Sequence, residues 1–384
     1  MVLPIGTTLA QEQPGHPSIT PVDAIIVGGG VIGLSAAWQL AGSGHSVTLV
    51  DPEPGSGASG VAAGMLAPVT EAGYGEERLV KLLVAGAQRW DEFAVALTAA
   101  SGTDIGYRSC GTVVVAADGS DRAAIDELLA FRQSLGLAAT RLSASECRRL
   151  VPTLAPGVRG GADVPGDHQV DNRRLLAALL VACERAGVVT VPEPASALWT
   201  EGGGVGVRLA GGRVLSAGAV VVAAGTGSAT VHGVPLPPLR PVKGHVLRLQ
   251  GPPLLPRTVR GLVHGRPCYL VPRSDGSLVV GATVEERGED RSVQAGPVHA
   301  LLDDARTLVP GIDELQLVEC AAGLRPATPD NGPYVGWTSV PGVALATGHY
   351  RNGILLAPIT ADALVALLSG SAVPAPLLGF GPER

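Results

Sequence analysis

The sequence contains no apolar run of the roughly 20 residues that a membrane-spanning helix needs. Its longest apolar stretch, residues 175–183, has charged residues on both sides and predicts a buried helix. Residues 1–10 contain no lysine or arginine, so they lack the basic region of a secretory signal. We therefore expect residues 1–21 to be a flexible leader and expect no membrane partner.

Cysteine and positive charge are also scarce. The five cysteines are scattered, odd in number and without a C-x-x-C pair, a pattern that favours reduced thiols in a cytoplasmic protein. No group of His, Cys, Asp and Glu has the spacing of a metal site. The 28 Lys and Arg face 34 Asp and Glu, a formal net charge of −6. A negative chain argues against nucleic acid as the main partner.

A β-α-β pattern near the start is the most informative segment. Residues 24–50 predict a buried strand, a helix and a second strand, which Asp51 follows. The first strand leads directly into the G-x-G-x-x-G spacing of Gly28, Gly30 and Gly33. In this context the glycines allow a tight turn and let backbone N–H groups approach a pyrophosphate, while the acid accepts hydrogen bonds from ribose hydroxyls. The segment therefore predicts dinucleotide binding.

Two further segments carry little charge and little bulk. Residues 55–68 form a small-residue loop whose backbone can lie against a large flat ligand. Residues 347–358 place a glycine-bearing turn before a helix, whose N-terminal N–H groups can stabilise negative charge on a ring. A nicotinamide cofactor gives no reason for both elements. A flavin does, because charge accumulates on the edge of its ring upon reduction.

The 384 residues, 46% of them hydrophobic, can bury a large core and predict two domains. We expect an α/β protein in which the dinucleotide-binding domain comprises residues 22–98, 161–240 and 321–370. Residues 99–160 and 241–320 would form a substrate domain with an antiparallel or mixed sheet, and residues 371–384 a C-terminal tail. Residues 219–225 predict a central parallel strand, and residues 242–283 predict hairpins with a turn at Asp275-Gly276.

Two helix starts are marked by capping residues. Ser143, with Glu146 at the third helical position, has the pattern of a capping box. Asp171 precedes an apolar helix predicted for residues 173–186, and we interpret its carboxylate as an N-cap rather than a catalyst. Residues 77–99 predict one long helix.

Several motifs occur together in the order of a known family. Besides the N-terminal fingerprint, they are the segments at residues 62–68, 241–244, 323–326 and 348–353. On these motifs the sequence resembles the FAD-dependent D-amino acid oxidase superfamily, in particular the glycine oxidases of thiamine biosynthesis, over about residues 22–370. The resemblance implies a Rossmann-like FAD domain of the glutathione-reductase type and a mixed-sheet substrate domain.

The resemblance also implies which residues contact FAD. We expect non-covalent binding, because neither Cys nor His occurs between Asp51 and Thr70 or after Asn352. Together with Gly28, Gly30 and Gly33, the expected contacts are Val31, Ile32, Asp51, Pro52, Ala58, Ser59, Ala63, Gly64, Met65, Ala195, His349, Tyr350, Arg351, Asn352, Gly353, Ile354 and Leu355.

By the same resemblance, Arg325 and Arg351 would hold a substrate carboxylate, and Tyr269 would line the pocket. A guanidinium matches a carboxylate with two parallel hydrogen bonds, which a lysine cannot do. The residues themselves leave alternatives open. Arg325 can form a surface or inter-domain salt bridge, Arg351 can pair with an acidic neighbour, and Tyr269 can pack in the core. Close relatives often carry methionine where this chain has Val284 and histidine where it has Pro267. These differences leave the substrate preference open.

Other polar residues are given structural roles. We expect His349 to be positioned by its backbone and not to act as an acid–base catalyst. Lys243 is predicted to be an exposed strand residue. His168 and Asp167 are predicted to lie in a turn without a chemical role.

The activity implied is the oxidation of glycine, or of a similar amino acid such as sarcosine or a small D-amino acid, to its imine. Hydride transfer to flavin N5 requires no strong protein base, so orientation and electrostatics would carry the catalysis. O2 would accept the electrons to give H2O2, and the imine would hydrolyse or supply thiazole synthesis. A dehydrogenase with a non-oxygen acceptor and a flavin-binding domain in RNA modification remain alternatives, and a homo-oligomer stays open.

Overall fold

The structure, a computed structural model, describes residues 22–201 and 204–384. The leader predicted for residues 1–21 lies outside the described residues. The α-helices are α1 (Val31–Gly42), α2 (Ala58–Val61), α3 (Glu77–Gln88), α4 (Trp90–Ser101), α5 (Gly119–Ser134), α6 (Ala144–Leu150), α7 (Asn172–Arg185), α8 (Ala295–Leu308) and α9 (Gly353–Leu368).

The first sheet is built around parallel strands. Its order is β17-β18-β11-β1-β2-β8, and β9 and β10 extend one end of β11. Its strands are β1 (Val22–Val27), β2 (Val47–Val50), β8 (Val189–Val191), β9 (Ala195–Glu201), β10 (Gly204–Leu209), β11 (Val214–Val222), β17 (Tyr334–Trp337) and β18 (Val343–Thr347). β11 runs parallel to β1 and β18, which confirms the central parallel strand expected there.

The apolar runs explain why this sheet is buried. Ile25, Ile26, Val220, Val221 and Val222 are completely buried, because helices or strands cover both faces. α1, α7 and α9 pack on one face and share a core cluster with α3 and α4.

The second sheet is mixed, and its order is β16-β12-β15-β14-β13-β4-β6-β5. Its strands are β4 (Thr112–Ala116), β5 (Thr140–Leu142), β6 (Gly161–Val164), β12 (Arg240–Gln250), β13 (Thr258–Val263), β14 (Arg266–Pro272), β15 (Ser277–Gly281) and β16 (Gln316–Ala327). The predicted hairpin between β14 and β15 is confirmed. α8 packs against this sheet, and β3 (Met65–Leu66) pairs with β7 (His168–Gln169) beside it.

The two-sheet α/β architecture is therefore confirmed, whereas the predicted domain boundaries cut through the second sheet. β6, at residues 161–164, pairs with β4, and β16 crosses residue 321 while pairing with β12. We propose that the substrate domain extends to include both strands. The remaining domain division stays a prediction.

The capping predictions hold and one helix prediction does not. Ser143 and Glu146 form the reciprocal capping box, and Asp171 accepts hydrogen bonds from the first N–H groups of α7. The single helix predicted for residues 77–99 is two helices, because the N–H of Arg89 bonds to Gly86 three residues back and the chain turns there. Within the part of the chain that is described, no helix has the length and apolarity needed to cross a bilayer.

Candidate active site

The β-α-β unit forms one wall of a large cavity. Gly28 has a φ of +110°, and a Cβ there would lie 2.6 Å from the backbone of Ala223, so the turn after β1 requires glycine. A Cβ at Gly33 would collide with the Gly28 carbonyl, so this glycine lets α1 pack against β1. α1 begins at Val31 without a side-chain cap from Gly30. Its N-terminus is therefore suited to an anion.

Asp51 is fixed at the end of β2 by backbone donors. One carboxylate oxygen accepts the N–H of Gly29 at 2.6 Å and the other accepts the N–H of Glu53 at 2.8 Å. The carboxylate lies on the cavity wall, where an acceptor for ribose hydroxyls was predicted.

The small-residue loop is held by side chains from distant elements. Asn172 donates to the carbonyls of Ser59 and Gly60 at 2.8 and 3.1 Å, and the Ser59 hydroxyl accepts the N–H of Val31 at 3.0 Å. Arg273 is buried and donates to the carbonyl of Ala63 at 2.5 Å. Burial lowers the pKa of Arg273 to about 10, so it stays charged at neutral pH. The loop is thereby fixed without bulky groups facing the cavity.

The third element is the turn into α9. Asn352 precedes the helix without capping it through its side chain, and the first turn contains no acid. Tyr350 has a φ of +49°, and its N–H bonds to the Pro326 carbonyl at 3.0 Å, which joins this turn to β16. Burial lowers the pKa of His349 to about 3, and its ring lies 3.0 Å from the Thr360 hydroxyl. A neutral, internally bonded imidazole fits the structural role predicted for it.

These elements and one face of the second sheet enclose a cavity of about 700 Å³. Every predicted cofactor and substrate residue lines it except Gly33 and Leu355. Gly33 faces the Gly28 carbonyl, and Leu355 is buried in the core, where its carbonyl accepts the Trp90 indole N–H at 2.9 Å. Their contact with FAD stays a prediction, and for Gly33 the close helix–strand packing expected of the glycine motif is observed.

The sheet wall presents a cationic fork and a hydroxyl side by side. Arg325, on β16, lies over Gly244, where a Cβ would collide with its guanidinium, and its Nη1 donates to the Thr283 carbonyl at 3.1 Å. Tyr269, on β14, lies opposite Gly281, which leaves room for the phenol. No described residue accepts from or donates to the Tyr269 hydroxyl within hydrogen-bonding distance, and burial raises its pKa. Among the described residues, no carboxylate comes within 4.0 Å of Arg325, so the alternative of a salt bridge is not what the geometry shows.

Arg351 does pair with an acidic neighbour. Its Nε lies 3.2 Å from Oε2 of Glu71, whose Oε1 accepts from Nη1 of Arg260 at 2.6 Å. Burial opposes ionisation of Glu71, but Arg260 and Arg351 outweigh it and lower the pKa of Glu71 to about 2. Arg351 nevertheless lines the cavity with 40% of its side chain exposed, so pairing and ligand contact are compatible.

The prediction that Lys243 is exposed is wrong. Its side chain is completely buried, and its ammonium lies 2.7 Å from Asp290 and 2.9 Å from Gln294. The alternation of β12 explains this, because Gly244 faces the cavity and Lys243 points to the opposite side, under residues 284–294. Asp167 is also fully buried, and it accepts the N–H groups of Val69 and Thr70 at 2.9 Å. These two backbone contacts support the prediction that Asp167 has no chemical role.

Sequence reasoning missed Glu71, Arg260, Arg132 and Arg291, all of which line the cavity. No local motif contains them, and Glu71 and Arg260 lie 189 positions apart. A usable signal was the position of Glu71 directly after the predicted cofactor loop, since an acid there is unusual beside an otherwise uncharged segment.

The residues present fit a flavin dinucleotide. The turn at Gly28 admits no Cβ, two helices begin at the cavity without a cap from their own N-cap residues, and the loop at residues 55–68 keeps bulk away. Residues 23–367 match the family of FAD dependent oxidoreductases. The chain belongs to this family. It is an enzyme, and its cofactor is FAD.

Individual relatives agree with this assignment. The chain is 35% identical over 346 residues to a glycine oxidase of Geobacillus kaustophilus, a match that covers 88% of this chain and 90% of the relative. The crystal structure of glycine oxidase from that organism superposes with a TM-score of 0.88 at 34% identity, covering 95% of this chain and 99% of the other. The chain is also 35% identical over 352 residues to the bifunctional protein ThiO/ThiG of a Nostoc strain. That match covers 90% of this chain, which spans about half, 52%, of the length of the bifunctional protein.

Proposed function

We propose that this enzyme oxidises glycine, or a similarly small amino acid, to its imine. The observation that carries the proposal is the guanidinium of Arg325, which has no carboxylate partner among the described residues, beside the free hydroxyl of Tyr269 on one wall of the cavity. A carboxylate placed there gains two charge-assisted hydrogen bonds from the guanidinium and one from the phenol. Similarity to glycine oxidases over most of the chain supports the choice of substrate.

The side chains around this wall favour a reaction without a protein base. Glu71, with a pKa of about 2 and two arginine partners, is a poor proton acceptor, and His349 is buried and bonded to Thr360. Bound FAD would supply the redox chemistry, with the substrate as hydride donor and O2 as electron acceptor. The protein has to hold the carboxylate, so that the Cα–H points at the ring, and to exclude water from the site.

Val284 and Pro267 both line the cavity. Val284 replaces the methionine, and Pro267 the histidine, that relatives often have at these positions. We infer that these residues tune substrate size and leave the carboxylate contacts unchanged. Supply of the imine to thiazole synthesis, non-covalent FAD and a cytoplasmic location belong to the same proposal.

Anaerobic mixing with substrate tests the proposal directly. Glycine or sarcosine should bleach the absorbance of the oxidised flavin in the purified holoenzyme, and air should restore it with release of peroxide. Bleaching without peroxide would favour a dehydrogenase that uses another acceptor. No bleaching by glycine, sarcosine or small D-amino acids would refute the substrate class.

Arg325→Ala is the matching variant. Loss of a bidentate charged contact should raise KM about 100-fold or more, while the visible spectrum shows that FAD is still bound. Arg240→Ala is the control, because Arg240 lies on the same sheet but pairs with Glu286 outside the cavity wall. Unchanged kinetics of Arg325→Ala would remove Arg325 from the substrate site.

A further inference from the structure

Two guanidinium groups flank the free hydroxyl on the sheet wall. Arg260 on β13 is directly opposite Tyr269 on β14, and Tyr269 is directly opposite Gly281 on β15. Arg325 reaches across Gly244 toward the carbonyl of Thr283 from the other side. The carboxylate contact proposed above uses Arg325 and Tyr269, and it gives Arg260 no contact with the substrate.

Arg260 is oriented into the cavity and not into solvent. Its side chain is 18% exposed, and its Nη1 donates to the Thr70 hydroxyl at 2.8 Å and to Glu71 at 2.6 Å. Its Nε and Nη2 have no hydrogen-bond partner among the described residues. One edge of the planar fork is thus anchored, and the other edge is available to a ligand.

The charges at this end of the cavity do not balance with a single carboxylate. Arg260, Arg325 and Arg351 face Glu71, which leaves two positive charges, and Arg291, which also lines the cavity, adds a third. Arg132 is excluded from this comparison, because it donates to the carbonyls of Thr70 and Ala72 and is partly offset by the buried Asp167. The acids Asp51 and Glu53 also line the cavity, but they stand at its far end, after β2. An amino acid with a neutral amine, as hydride transfer needs, neutralises only one of these charges.

We propose that the cavity recognises an amino or imino acid with a second acidic group, whose distal carboxylate binds Arg260 while its α-carboxylate binds Arg325. This inference rests on the proposed function and specifies its substrate class. Such a substrate carries two negative charges when its amine is neutral, and it offers a carboxylate both to Arg325 and to the free edge of Arg260. Its two acids lie on opposite sides of the Tyr269 hydroxyl, which requires a short chain between them. Iminodiacetate has this form.

Binding of unreactive analogues to the holoenzyme tests the proposal. Glutarate replaces the amine of iminodiacetate by a methylene, and glutaramate, its monoamide, has the same shape with one charge fewer. Dissociation constants are measured by titrating the visible absorbance of the bound flavin. A second charged hydrogen-bonded contact should make glutarate bind about 10- to 100-fold more tightly than glutaramate. Equal constants, or binding of neither compound, would overturn the proposal.

Variants locate the second subsite. Arg260→Gln should bring the glutarate-to-glutaramate ratio close to one, whereas Arg325→Gln should weaken both compounds. Arg257→Gln is the control, because Arg257 directly precedes the same strand, pairs with Asp163 at 2.9 Å and does not line the cavity. It should keep the wild-type ratio. An unchanged glutarate-to-glutaramate ratio in Arg260→Gln would contradict the assignment of the second subsite to Arg260. If that variant does not bind FAD, the comparison of glutarate with glutaramate on the wild-type holoenzyme still tests the proposal.

Turnover separates this inference from the proposed function. If it holds, iminodiacetate should bleach the flavin with a higher kcat/KM than its monoamide, N-(carbamoylmethyl)glycine. If glycine bleaches the flavin and the two compounds are equivalent, the proposed function stands and the inference fails. If no amine bleaches it but glutarate binds preferentially, the second anion site stands and amino acid oxidation fails.

Discussion

Glu71 shows how one carboxylate can organise an active-site wall. Its two oxygens contact different arginines, Arg260 from the second sheet and Arg351 from the turn into α9. Each guanidinium is thereby anchored on one side, and both arginines line the cavity. Only 10% of the Glu71 side chain is exposed, so these interactions are weakly screened by solvent.

The low pKa of Glu71 predicts a pH-dependent contribution to stability. A carboxylate with a pKa of about 2 in the folded state, against an ordinary value of 4.5, stabilises the protein above pH 4.5 and loses this effect as pH falls toward 2. The difference in free energy of unfolding between wild type and Glu71→Gln should therefore be largest above about pH 5. It should narrow by on the order of 3 kcal/mol toward pH 2. Urea unfolding across this pH range measures it.

Glu319→Gln serves as the comparison for that series. Glu319 pairs with Arg173 at 2.6 Å, but both side chains are at least one-third exposed. Exposed pairs contribute roughly 0–1 kcal/mol, so its pH dependence should be slight. A wild-type-to-Glu71→Gln difference that stays constant with pH would contradict the depressed pKa.

At the residue scale, sequence reasoning reached the residues of the motifs that line the cavity. It could not reach the Glu71–Arg260 pair, because a contact between residues 189 positions apart depends on how the second sheet docks on the cofactor loop. It misplaced Lys243 for a related reason. A lysine on a strand is ordinarily solvated. Lys243 is buried because residues 284–294 cover it, and there Asp290 and Gln294 offset the cost of removing its ammonium from water.

Among the elements, those with strong local signals were predicted correctly. The β-branched run in β11, the Asp275-Gly276 turn and the caps of α6 and α7 each depend on residues close in sequence. The break between α3 and α4 has only a weak local signal, because no proline occurs in residues 77–101 and Gly86, whose carbonyl accepts the N–H of Arg89, lies inside α3. The turn there allows the Trp90 indole to donate to the Leu355 carbonyl, a contact between distant elements.

The capping box of α6 makes a quantitative prediction about an element. The Ser143 hydroxyl accepts the N–H of Glu146 at 3.3 Å, and the Glu146 carboxylate accepts the N–H of Ser143 at 2.7 Å. Ser143→Ala should lower the free energy of unfolding by about 1 kcal/mol, measured by urea unfolding of the holoenzyme. Ser145→Ala, two residues further along, removes a hydroxyl that caps no N–H and contacts only the Ser143 hydroxyl at 3.0 Å, so it should cost clearly less. Equal losses would show that the box is not what stabilises α6.

At the scale of the whole molecule, the cavity exists because two sheets meet over it. The first sheet supplies the turns after β1, β2 and β18, and the second supplies the face that carries Arg260, Tyr269 and Arg325. Sequence patterns predicted both sheets but not their borders, since β6 and β16 find their partners in segments far away along the chain. Register and pairing order are decided by which faces can be buried together.

FAD binding should link these parts, and the stability of the molecule should rise with FAD concentration. A ligand present at 100 times its Kd stabilises the folded state by about 2.7 kcal/mol. Gly30→Ala separates this effect from folding. Gly30 has a φ of −74°, which alanine adopts readily, and the one atom near an added Cβ is the Ser59 hydroxyl at 3.3 Å. The FAD-free variant should therefore unfold close to the wild-type temperature.

The same methyl group would stand where the pyrophosphate must approach the start of α1. Gly30→Ala should therefore lose most of the FAD-dependent rise in Tm, measured by thermal unfolding of stripped protein at increasing FAD concentration. Gly42→Ala, at the other end of the same helix, adds a methyl group with nothing within 4 Å and should keep the full rise. If both variants respond to FAD like the wild type, the dinucleotide does not lie against this helix, because its closest approach to the backbone would then tolerate a side chain.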